Sequence, residues 1–133
     1  MSKKFKKYLS VLLATVLATG CLSAVVAFAD DSVALNEMNF PDANFRAYLS
    51  ENVDTDGNGA LSVEERDNHP IISVANRGIT SLKGIEYFPN LKNLSCSKNP
   101  LDKLDVSTLT ELTSLTCMAD GLSELNLYEN NKL

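Results

Sequence analysis

The chain of 133 residues has one histidine, His69, and three cysteines. A lone histidine excludes a triad with a histidine base and a polyhistidine metal centre. Cys21, Cys96 and Cys117 are too few for a disulfide scaffold. G-x-S-x-G, Gly-rich phosphate loops and H-E-x-x-H are all missing, so the residues name no enzyme. Positive charge is scarce and badly placed. Four of the 12 basic residues are Lys3, Lys4, Lys6 and Lys7, in a segment that reads as removable. Beyond it stand 8 basic against 17 acidic residues, a net charge of −9 rather than −5. Nucleic-acid binding needs a basic footprint, so no nucleic-acid partner is expected.

Three features are present: an export signal, an acidic loop and a repeat. Residues 1–29 carry a basic start, then a run from Leu9 to Ala29 without charge that closes on Ala27-Phe28-Ala29. Small residues at Ala27 and Ala29 match a signal peptidase site, so the mature chain is expected to begin at Asp30 and to lie outside the cytoplasm. Two alternatives stand. The run is long enough for an uncleaved membrane anchor. Ala18-Thr19-Gly20 before Cys21 is a degenerate lipobox, which would make Cys21 a lipid anchor.

Residues 30–70 read as a small helical cap around the loop 54–65. Asp54-Thr55-Asp56-Gly57-Asn58-Gly59-Ala60-Leu61-Ser62-Val63-Glu64-Glu65 fills every slot of D-x-[DN]-x-[DN]-G-x₅-E. Calcium takes six to eight oxygens, and a twelve-residue loop offers them from alternate positions. Asp54, Asp56 and Asn58 would give side-chain oxygens and Ala60 its carbonyl. Ser62 would give a hydroxyl or a bridging water, and Glu65 both carboxylate oxygens. Gly59 permits the sharp turn with positive φ. The competing reading is an acidic turn without an ion. It would hold Asp54, Asp56 and Glu65 close together with their charges unpaired, which is costly. Phe40-Pro41-Asp42 signals a helix whose Phe45, Tyr48 and Leu49 share a face. Ser62-x-x-Glu65 is a capping box for a short exit helix ending before Pro70. A single loop suggests modest affinity and a structural calcium ion that holds the helices.

From Ile71 the pattern changes. Leu91, Leu94, Cys96, Leu101, Leu104 and Val106 recur 21 residues later as Leu112, Leu115, Cys117, Leu122, Leu125 and Leu127. Ile72, Val74, Ile79 and Leu82 precede their counterparts by 22. This period reads as leucine-rich repeats over 71–133, an α/β repeat solenoid of stacked parallel strands. Asn99 stands where a buried amide can satisfy backbone groups inside the turn, while Arg77 and Asp120 take the same place in the neighbouring turns. Cys96 and Cys117 occupy equivalent inward places, where small buried hydrophobes suffice. Ser73, Ala75, Ser95, Ser97, Thr116 and Met118 should face outward from the strands. They include no aromatic or arginine anchor, so no hot spot can be named. Phe45, Tyr48, Tyr87 and Phe88 read as core, Tyr128 as exposed and His69 as a boundary residue.

Phe40 to Arg46, the acidic loop with Leu61-Ser62, Ile79 to Phe88, and L-x-C-x-x-N-x-L-x-x-L-D-V-S from Leu94 to Ser107 together resemble a known group. These are secreted leucine-rich-repeat surface proteins of Gram-positive bacteria, internalin-like in plan. The resemblance implies a helical, EF-hand-like cap followed by a solenoid whose concave sheet binds a protein or glycan at the cell surface. It implies no enzymatic activity. Leu133 falls at the start of a turn with no capping segment after it, so the solenoid is expected to be truncated there. Two other readings remain: the non-catalytic front of a larger secreted hydrolase, or a dockerin-like assembly module, although dockerins carry two such loops.

Overall fold

The computed structural model describes residues 31–118 and 121–133. The export segment with Cys21, and Asp120, lie outside the described residues. Among those described, no helix is long and apolar enough to cross a membrane.

Strand β1 (Val33–Ala34) leads into helix α1 (Ala43–Asn52), strand β2 (Ala60–Leu61) and the short helix α2 (Val63–Asp67). Asp42 starts α1 because its Oδ1 accepts from Phe45 N at 2.8 Å. The helix then buries Phe45, Tyr48 and Leu49, the face expected from their spacing. At α2 both halves of the Ser62–Glu65 capping box form. Five residues is too short a helix to persist alone, so α2 depends on that cap and on packing.

The repeats begin at β3 (Ile71–Ser73) and continue through β4 (Asn93–Ser95), β5 (Lys103–Asp105), β6 (Ser114–Thr116) and β7 (Glu124–Asn126). Every pairing among them is parallel. Strands β3, β4 and β6 form one sheet, with Ile72 opposite Leu94 and Leu94 opposite Leu115. Strands β5 and β7 form a second, with Leu104 opposite Leu125. The registers step by 22 and then 21 residues, so the sequence period is the rise of the stack itself. This second ladder is not evident from the leucine pattern. It leaves out the first turn: Ser81 to Lys83 take the corresponding place, and a 3₁₀ turn (Ile85–Tyr87) follows Gly84. Gly84 sits at φ +103°, and a Cβ there would fall onto the Phe40 ring and lie 2.8 Å from the Asn39 carbonyl.

One hydrophobic cluster runs from Phe40 in the cap to Leu112 in the repeats. Side-chain hydrogen bonds lock the same junction. Asp42 Oδ2 accepts from Thr80 N and Oγ1 at 2.8 and 2.9 Å. Asn44 donates to Gly78 O, Ser73 N donates to the Tyr48 hydroxyl, and the Arg77 guanidinium lies 4.9 Å over the Tyr48 ring.

Candidate functional site

The loop between α1 and α2 brings Asp54, Asp56 and Glu65 together, with carboxylate oxygens all within 4.8 Å of one another. Asp54 and Glu65 are 7% and 8% exposed, so their charges are largely withdrawn from water. The fold holds them with backbone donors. Gly59 N and Asn58 N donate to Asp54, and Asn58 N and Nδ2 donate to Asp56. The turn that aims these groups requires φ of +67° at Gly57 and +78° at Gly59. Asn58 Oδ1 accepts from Ala60 N at 2.8 Å, which closes the loop's second half.

Glu65 differs from the expectation of an unpaired charge. Its Oε1 accepts from Thr55 N and Oγ1, both at 2.8 Å, and its Oε2 from Ser62 N and Oγ, both at 2.9 Å. Burial works against the ionised form, but these donors outweigh it and hold the carboxyl down at about 2. The loop therefore tolerates its Glu65 charge through hydrogen bonds alone. A cation would have to share Glu65 with two hydroxyls, and Ser62, already engaged with Glu65, would reach an ion most simply through water.

Ala60 fits the role of a carbonyl donor. Val33 lies opposite Leu61, Ala34 opposite Ala60, and Leu35 N donates to Gly59 O at 2.9 Å. Antiparallel pairs alternate between bonded and non-bonded, which makes Val33–Leu61 the bonded pair and turns the Ala60 carbonyl away from β1. Asp54, Asp56, Asn58, Ala60, Ser62 and Glu65 thus occupy one loop, with the three carboxylates converging.

The open face of the β3–β4–β6 sheet is mostly small and polar, with Ile71 and Met118 as its exposed large apolar side chains. Thr116 and Ser73 are exposed, Ser95 is half-exposed and Met118 is 68% exposed. Ser97, expected to face outward, is buried instead, and its hydroxyl accepts from Met118 N at 2.9 Å in the next turn. Ile71 shares this face, exposed beside Asn93 and Ser114, and the outward set read from the sequence lacks it. A run of two isoleucines hides which one faces out. Counting 22 back from Asn93 would have placed Ile71 in the polar slot. Cys96 is buried with its thiol 3.6 Å from the Thr116 carbonyl, and Cys117 in the next turn is half-buried.

Asn99 performs the role expected of it. Its Oδ1 accepts from Arg77 N and Ile79 N, and its Nδ2 donates to Val74 O and Cys96 O. His69 sits at the boundary, with Nδ1 3.0 Å from Glu65 O. Tyr128 is exposed.

No family model and no curated protein matches the chain. Solved structures do. The functional domain of InlJ from Listeria monocytogenes, described as including a cysteine ladder, superposes with a TM-score of 0.65 at 28% identity, over 77% of this chain and 22% of that one. The internalin InlF of the same organism gives 0.54 at 25% identity, over 77% and 34%. Internalin C2 (InlC2) of that organism gives 0.50 at 21% identity, over 74% and 50%, a likeness of fold alone. The chain spans half or less of each of these proteins. With the stacked parallel strands, these likenesses show a leucine-rich-repeat fold, similar to that of internalins.

Proposed function

We propose that the chain is a secreted or cell-surface binding module whose solenoid face takes a protein or glycan ligand and whose cap is braced by calcium. The observation that carries the binding reading is the in-register β3–β4–β6 sheet, which resembles the internalin scaffold and presents a continuous open face. A stack of parallel strands gives an extended surface that no single turn could supply. The face offers Ile71 and Met118 as its large apolar side chains, with serine, threonine and asparagine between them. Such a surface suits broad, shape-based contact rather than one deep anchor. Cys96 and Cys117 stand one turn apart in the same slot, and by analogy with the InlJ domain we read them as two rungs of a cysteine ladder.

The calcium reading is supported by the loop's complete consensus, by the convergence of Asp54, Asp56 and Glu65, and by the direction of the Ala60 carbonyl. All three carboxylates are hard oxygen donors, which suits calcium better than zinc or copper. Bound there, the ion would tie the end of α1 to the start of α2. It would do no chemistry on a substrate.

A photo-crosslinking residue scanned over the molecule tests the binding reading. Placed at Ser95 or Thr116, it should capture one discrete partner from intact cell surfaces, competed by unlabelled chain. Placed at Lys103 or Glu124 on the second sheet, it should capture none. Equal capture from both sheets would contradict the reading.

A further inference from the structure

The edge of the loop's short strand, Ala60–Leu61, is covered by β1. The covering segment is held firmly at both ends. The Asp31 carbonyl accepts from Arg66 Nη2 at 2.7 Å, and the same guanidinium reaches Ser62 O through Nε at 3.4 Å and Tyr87 O through Nη1 at 3.3 Å. At the other end Asn36 closes a tight turn: its Oδ1 accepts from Met38 N and Asn39 N, and Asn39 Nδ2 donates back to Ala34 O. Phe40, directly after that turn, is fully buried against Phe45 and Tyr87. Val33 and Leu35 pack on the core between these anchors.

We infer that residues 31–39 are the built-in partner of the calcium loop, taking the place of a second loop and setting the affinity of the first. This inference rests on the calcium reading above. Its physical basis is the ladder. Pairing Val33 with Leu61, and Leu35 with Gly59, uses up the backbone groups on the β1 side, so the Ala60 carbonyl is fixed on the opposite side before any ion arrives. A donor set held in place loses less freedom on binding, and therefore binds more tightly. Linkage makes the effect reciprocal: an ion that prefers the paired loop must stabilise the pairing to the same extent.

The test uses the full chain and two proline variants. Val33→Pro removes the N–H that pairs with Leu61, whereas Ala34→Pro removes an N–H that points away from β2. In calcium calorimetry V33P should bind about tenfold more weakly than the parent and A34P within about threefold of it. Affinity of V33P within twofold of the parent would overturn the inference. Should V33P lose its fold by circular dichroism, hydrogen exchange on the parent chain decides. The Leu35 and Leu61 amides should exchange about tenfold more slowly in millimolar calcium than in chelator. Unchanged exchange in a chain that binds calcium would overturn the inference and leave the calcium reading standing. A parent chain that binds no calcium would overturn both.

Discussion

Asp42 divides its two oxygens between two tasks. Oδ1 caps α1 through Phe45 N, and Oδ2 binds Thr80 in the first repeat turn. Burial opposes its charge, but the Thr80 and Phe45 donors prevail and hold the carboxyl below its ordinary 3.8. A carboxyl depressed by folding stabilises fully above its unfolded value, near pH 4, and loses that contribution as pH falls through the folded value. Asp42→Asn keeps a capping oxygen but turns an amide toward the Thr80 N–H. Urea unfolding at pH 6 should show a loss of about 1–3 kcal/mol. Between pH 6 and pH 3 the variant should lose less stability than the parent, which checks the sign. Asn99 admits an equally specific test. Asn99→Asp retains the acceptor for Arg77 and Ile79 but cannot donate to Val74 O and Cys96 O. The same urea measurement should show a cost of roughly 3 kcal/mol, because two buried carbonyls would face a carboxylate. Gly84→Ala combines a left-handed φ with a Cβ placed on the Phe40 ring, and should lower stability by about 2–3 kcal/mol in the same assay.

Among the elements, those with a local cause were the legible ones. The caps of α1 and α2 follow from Asp42 and from Ser62 with Glu65, whose partners lie three residues away. The strands β3, β4 and β6 follow from the leucine period, because each inward slot must be apolar in every turn. What escaped depends on distant partners. Strand β1 is a two-residue segment with no pattern of its own, created by the edge of β2. Strands β5 and β7 are signalled only by Leu104 and Leu125, which the leucine period shares with non-strand positions. The Ser97 hydroxyl points into the neighbouring turn, a contact that no count along one strand reveals. In the loop, the consensus spacing made the cluster of Asp54, Asp56 and Glu65 legible but not the four donors that already satisfy Glu65. The pairs Lys103–Glu124 and Lys132–Glu111 join turns 21 residues apart but are exposed. Lys103→Gln should leave the unfolding midpoint unchanged in thermal melts, as exposed pairs usually do.

For the whole molecule, the cap and the repeats are one mechanical unit, because the core that starts at Phe40 continues to Leu112 without a break. A cation in the loop would therefore stabilise more than the loop. At ten times its dissociation constant it should add about 1.4 kcal/mol to global unfolding, read as a higher melting temperature of the repeats themselves. The excess of acidic residues favours cations near the surface and disfavours nucleic acid. On the calcium reading, an oxygen-lined loop clamps the front of a leucine-lined stack. The most direct test is isothermal titration of the chain with calcium, beside Glu65→Gln and Asp54→Ala. One saturable site per chain is expected, with a dissociation constant of about 10⁻⁴–10⁻³ M, lost in both variants. A flat trace for the parent at millimolar calcium, or equal binding by the variants, would contradict it.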